Sequence, residues 1–120
     1  MTPLPQPGVA PPVPAADPIV TAKDKAWAEH KSLVIEYGAS WCGPCKVVAA
    51  KYGADIRAKG VYVHVDKDKD VAIIERHPWL AVPRPLLVPR VVYYENVRGE
   101  LRPPKVYVGS DQIELWIKQR

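Results

Sequence analysis

Leu33-Val-Ile-Glu-Tyr37 is an almost unbroken apolar run with the length and β-branched content of a covered strand. Its one acid, Glu36, stands where an apolar residue is expected. Ahead of it, Thr21 is placed to cap a short helix over Ala22–His30, with Ala26 and Trp27 on the apolar side. After it, residues 45–57 suit a helix, and Val48, Tyr52 and Ile56 recur every fourth position as its core-facing stripe. Gly60 ends that segment. Val61-Tyr-Val-His-Val65 then alternates as a strand does. Asp70–Arg76 predicts a second short helix with Val71 and Ile74 turned inward.

A proline-rich loop runs from Pro78 to Pro89. Val91–Tyr94 and Lys105–Val108 read as strands joined through a polar turn near Asn96–Gly99. Ser110 is placed to cap a final helix, whose Ile113, Trp116 and Ile117 form an i, i+3, i+4 apolar face. Strands separated by helices, then a hairpin and a closing helix, predict an α/β domain. Its sheet is mixed and covered on both faces.

The pattern begins only at Ile19. Residues 1–18 hold seven of the chain's 14 prolines, so this stretch reads as an extended, flexible arm ahead of one domain over 19–120. Pro11-Pro12-Val13-Pro14 could serve as a docking peptide, but a plain tail or linker is the favoured reading. The chain's 120 residues suit one domain. A net charge of +4, scattered and without a base-stacking motif, argues against nucleic acid. No apolar stretch is long enough to span a membrane. The N-terminus lacks the cationic start and apolar core of an export signal, so the expectation is a cytoplasmic, reducing home.

Both cysteines of the chain lie in Trp41-Cys-Gly-Pro-Cys-Lys46, between a strand and a helix. Cys42 is therefore expected at a helix N-terminus, where unpaired amides favour an anion. That lowers a thiol below its free pKa of about 8.5. Cys45 lies about one turn further on, within disulfide reach and more enclosed. Pro44 suits the first helical turn and Gly43 relieves crowding there. The pair supports a two-step exchange: Cys42 attacks a substrate disulfide and forms a mixed disulfide, and Cys45 then attacks Cys42 and releases the reduced substrate. No cofactor is required.

WCGPCK resembles the active-site motif of the thioredoxin family, and the likeness extends over roughly residues 19–120. It implies the thioredoxin fold and thiol–disulfide oxidoreductase activity. Protein disulfides would be the substrates, and a thioredoxin reductase or similar donor the partner of what is expected to be a monomer. Glu36 lies six residues before Cys42, where the family carries a buried acid. Burial would raise its pKa and suit it to take the proton of Cys45; on the plain alternative it points to solvent. Trp41 matches the family's exposed tryptophan beside the reactive thiol.

The family's cis-proline has three candidates, Pro83, Pro85 and Pro89. Only Pro89 is followed by an uninterrupted strand, so it is the choice, with Val88 offering backbone groups to a substrate. Gly109 matches a groove glycine whose side chain would crowd a substrate, or is a turn glycine. The chain departs from the family in two notable places. The lysine that pairs with the buried acid is replaced near Tyr62. Arg90 follows the proposed cis-proline, where a cation would favour the Cys42 thiolate and select acidic substrates.

Three other readings compete. A closed zinc site needs about four ligands, and His30, His64 and His77 lack suitable spacing to the cysteines. On this reading His64 is a strand-surface residue and His77 a loop residue. A non-catalytic adaptor or assembly module is the main alternative, since fold alone does not settle function. An oxidase or isomerase of the same fold is disfavoured, because Gly-Pro between the cysteines resembles the reducing members.

Overall fold

The computed structural model describes residues 17–81 and 86–119. Residues 1–16 of the arm expected over 1–18, and Pro83 and Pro85, lie outside them; Asp17 and Pro18 belong to the start of α1. The elements follow the order α1 (Pro18–Glu29), β1 (Leu33–Gly38), α2 (Gly43–Ala58), β2 (Val61–Asp66) and α3 (Val71–Arg76). A 3₁₀ turn, Pro78–Ala81, precedes β3 (Arg90–Tyr94), β4 (Asn96–Val97), β5 (Glu100–Leu101), β6 (Lys105–Val108) and α4 (Ser110–Lys118).

The main sheet has the order β2-β1-β3-β6. β1 and β2 are parallel, joined by α2 as a crossover. β3 runs antiparallel to β1, and β6 antiparallel to β3. The mixed sheet expected from the sequence is present. A separate two-stranded ribbon, β4–β5, occupies the polar turn, with Arg98 and Gly99 at positive φ. Asn96 Oδ1 accepts a hydrogen bond from the Gly99 amide at 2.8 Å, which fixes that turn.

β1 lies in the middle and every one of its residues is buried. On one face Leu33, Ile35 and Tyr37 meet Ile19, Ala22 and Ala26 of α1, with Ile74 and Leu80 beyond. On the other, Val34 and Val91 meet Val48 and Ile56 of α2 and Ile113 and Trp116 of α4. The stripe expected on α2 is therefore the buried one, with Tyr52 partly covered at its middle.

Four local expectations are corrected. Helix α1 starts at Pro18, and its cap is Asp17, whose Oδ1 accepts from the Ile19 and Val20 amides at 2.9 and 3.3 Å; Thr21 lies inside the helix. The buried stripe is consequently Ile19, Ala22 and Ala26, and Trp27, one step round the helix, is 54% exposed. Val71 opens α3 and is exposed, leaving Ile73 and Ile74 to face the core. Ser110 is the first residue of α4; Gly109 holds the cap position and no side-chain cap bond forms.

Gly60 is fixed by close approach. A Cβ there would stand 2.3 Å from the Ser32 carbonyl oxygen, which accepts the Val61 amide at 2.8 Å. Gly60→Ala should destabilise the fold by about 1–3 kcal/mol through overpacking, read as a lower urea midpoint.

Asp17 also binds His77 Nε2 at 2.9 Å and lies 3.7 Å from Arg76, so α1 is tied to the end of α3. Burial alone would raise its pKa, but the His77 hydrogen bond and the Val20 and Ile19 amides outweigh that and hold it below 3.8. The stabilisation is complete above the unfolded carboxylate value and fades as pH falls through the lowered folded one. Asp17→Ala should therefore cost about 1 kcal/mol at neutral pH, with the difference from the parent shrinking in acid. Urea melts at pH 7 and pH 3 check this.

Candidate active site

Helix α2 begins immediately after Cys42, which is its N-cap. Cys42 Sγ accepts the Cys45 amide at 3.1 Å, and its carbonyl accepts the Lys46 amide at 3.2 Å. The sulfur thus occupies the place of a capping oxygen, where amides and the helix dipole both favour negative charge. Gly43 and Pro44 fill the first turn and are exposed. Cys42 and Cys45 are joined as a disulfide with Cα atoms 5.2 Å apart.

The expected order of enclosure is reversed. Cys42 is only 3% exposed, whereas Cys45 is half-buried. Cys45 borders an open cleft of about 320 Å³ between α2 and the β1–β2 pair, beside Gly38 at the end of β1, which carries no side chain to fill it.

Trp41 projects from the other flank of the motif and is 62% exposed. Its Nε1 donates to Asp68 Oδ2 at 2.5 Å, and Lys67 Nζ lies 5.7 Å from its ring. The Val88–Pro89 bond is cis, as the resemblance implied and as the strand after Pro89 located it. Pro89 is buried and Val88 half-buried. The Pro89 carbonyl accepts the Gly109 amide at 2.8 Å, which brings Gly109 beside the cis bond. A Cβ on Gly109 would meet nothing within 4 Å, but its φ of +87° is one that other residues rarely adopt. Within the protein, backbone conformation rather than crowding is what calls for glycine there.

Arg90 does not present a cation to substrates. Its side chain is fully buried, and Nη1 donates to the Leu80 carbonyl at 3.4 Å. Arg90 shares a sheet face with Val92, so it points toward α1 and the 3₁₀ turn. Burial pulls its pKa down, while the neighbouring Tyr37 acts the other way.

Glu36 is buried, 8% exposed, and faces the cleft rather than bulk solvent. The Tyr62 hydroxyl donates to its Oε1. Burial, and then the bonded Glu36 carboxylate, push the Tyr62 phenol well above its usual 10. The Arg57 guanidinium carbon lies 6.0 Å from the Tyr62 ring centre. Glu36, Cys45, Lys46, Arg57, Tyr62 and His64 therefore share one cleft.

A family profile described as Thioredoxin matches residues 20–104. The chain belongs to the thioredoxin family. It is 36% identical over 62 residues to a thioredoxin H-type of Chlamydomonas reinhardtii, covering 49% of this chain and 55% of that protein. It is 27% identical over 123 residues to a protein disulfide-isomerase of Gallus gallus, covering 94% of this chain and 23% of that one. The chain thus spans about half the first relative and under a quarter of the second. Among solved structures, Plasmodium falciparum thioredoxin superposes with a TM-score of 0.58 at 19% identity, over 80% of this chain and 75% of that one. This last likeness is one of fold.

The structure joins Cys42 to Cys45, sets Glu36 in the cleft that Cys45 borders, exposes Trp41 and makes the Val88–Pro89 bond cis. Sequence reasoning missed Tyr62 as the partner of Glu36, and Gly38 and His64 as walls of the cleft. A signal was present. With β1 and β2 parallel, Glu36 and Gly38 fall beside Tyr62, His64 and Asp66 on one face. Glu36→Gln should lower the Tyr62 phenol pKa yet leave it above 10, because burial remains. Tyrosinate absorbance against pH, with Tyr62→Phe as the assignment control, measures the shift.

Proposed function

We propose that this protein reduces protein disulfides through the Cys42–Cys45 dithiol. The observation that carries this reading is Cys42 Sγ at the α2 N-terminus, bonded to the Cys45 amide and within disulfide geometry of its neighbour. In the reduced protein the Cys42 thiolate attacks one sulfur of a substrate disulfide. The substrate's S–S bond breaks, and its other sulfur leaves as a thiolate. Cys45 then loses its proton, with Glu36 as the acceptor across the cleft. Its thiolate attacks Cys42 Sγ, the mixed disulfide breaks, and the second substrate thiolate departs. The protein ends as the disulfide and the substrate as a dithiol.

Trp41, Gly43, Pro44, Val88, Pro89 and Gly109 form the groove in this scheme. The exposed indole, held by Asp68, supplies apolar surface beside the thiol. The cis bond leaves Val88 backbone groups for an extended substrate segment. A thioredoxin reductase or similar donor returns the dithiol, so the protein carries electrons between that donor and its targets. The Gly-Pro dipeptide supports the reducing direction, a cytoplasmic site of action fits it, and the monomer suffices for the chemistry.

The exposure order of the two sulfurs makes their roles a real experimental question. Insulin reduction should be lost in both Cys42→Ser and Cys45→Ser, a fall of at least 100-fold. Cys45→Ser should accumulate a mixed disulfide through Cys42, resolved by mass spectrometry. Capture through Cys45 in the Cys42→Ser form instead would reverse the assignment, and full activity in either variant would remove the dithiol mechanism.

A further inference from the structure

His64 is exposed, yet its ring is not simply on the surface. It pairs in register with Glu36 across the parallel β1–β2 ladder and lines the same cleft as Cys45. Gly38 shows how close the two groups come. A methyl group at that position would stand 3.1 Å from His64 Nε2 and 3.8 Å from Cys45 Sγ. The imidazole nitrogen and the sulfur therefore flank one point, separated by the space that a side chain at residue 38 would fill. A cleft of about 320 Å³ lined by polar groups also admits water to bridge them.

We propose that His64 is a second proton partner of the resolving thiol, exchanging the Cys45 proton with solvent and pairing its thiolate as imidazolium. This inference rests on the dithiol reading above and adds a residue to it. The step balances simply. The Cys45 S–H proton moves to His64 Nε2, directly or through one water. The sulfur keeps the electron pair and attacks Cys42 Sγ, and the imidazolium returns its proton to solvent or to the departing substrate thiolate. No redox partner beyond the substrate is needed.

The other charged groups around His64 have defined places. On β1, Glu36 is engaged by the Tyr62 hydroxyl. On β2, Asp66 Oδ1 accepts the Lys69 and Asp68 amides, each at 2.9 Å, which hold that carboxylate below its usual range. From α2, Lys46 and Arg57 border the cleft, and both cations favour a thiolate. Of these groups Glu36 is the buried one, whereas the His64 imidazole is exposed and can exchange a proton with solvent. The two groups thus offer the Cys45 proton alternative acceptors, Glu36 on the buried side and His64 on the solvent side.

The decisive readout needs no substrate. In reduced Cys42→Ser, Cys45 alkylation by iodoacetamide is followed from pH 5 to 10, with and without His64→Asn. The parent background should show two inflections, one in the imidazole range, as coupled sites do. His64→Asn should show one, with alkylation at pH 6–7 slower by about three- to tenfold as the thiol returns toward its free pKa. His64→Lys, a fixed cation, should retain the fast rate but lose the lower inflection. An unchanged urea midpoint checks that the exposed position tolerates both variants.

In the intact dithiol, resolution of the mixed disulfide should slow by a similar factor at pH 6–7. Capture by Cys42 in the Cys45→Ser background should stay the same. Superimposable alkylation profiles for parent and His64→Asn would overturn the proposal. Should the coupling appear in a protein that fails to reduce insulin, the proton pairing stands and the reductase reading falls; the converse result separates them the other way.

Discussion

One hydrogen bond organises this molecule's chemistry, from the Cys45 amide to Cys42 Sγ. It makes a sulfur serve as a helix cap. A 16-residue helix aims its unpaired amides at that atom, and the same helix carries the second sulfur one turn on. The geometry follows from the crossover: β1 must end, α2 must start, and β2 must return parallel to β1. The helix N-terminus is thereby set at the carboxyl end of the central strand, where ligand and active sites of open α/β sheets lie.

Most of that frame is written in the chain's periodicities. The Leu33–Tyr37 run, the Val48–Tyr52–Ile56 spacing and the Ile113–Trp116–Ile117 face each identify an element and the side it buries. What escaped lies where neighbours decide. Asp17 caps α1 because His77, sixty residues on, helps to hold it there. Trp27 is outside because it lies one step round the helix from the buried stripe of Ile19, Ala22 and Ala26. Arg90 looked like a surface cation because a charge rarely enters a core; a sheet face that includes Tyr37 and the Leu80 carbonyl accepts it.

The site divides along the same line. Cys42 and Cys45 come from short-range grammar, a strand–helix junction; the cis bond was implied by the family resemblance, and the unbroken strand after Pro89 only chose among three prolines. The surroundings of Glu36 depend on strand register, which no single segment contains. An acid on the most buried strand is costly without a partner. Tyr62 supplies one from the adjacent strand, with Arg57 near its ring, in place of the lysine usual in the thioredoxin family. A phenol gives a hydrogen bond without a full countercharge. Control of the inner carboxylate is consequently shared with whatever the cleft admits from solvent, which is why its walls matter.

The strand order leaves β6 at one margin of the sheet. Such a margin is a template on which a foreign strand can pair and grow into aggregates. Here it spans only four residues, begins at Lys105 and follows Pro103-Pro104, which have no amide hydrogens to offer. This abbreviated, charged and proline-guarded border discourages a foreign strand from adding to the sheet.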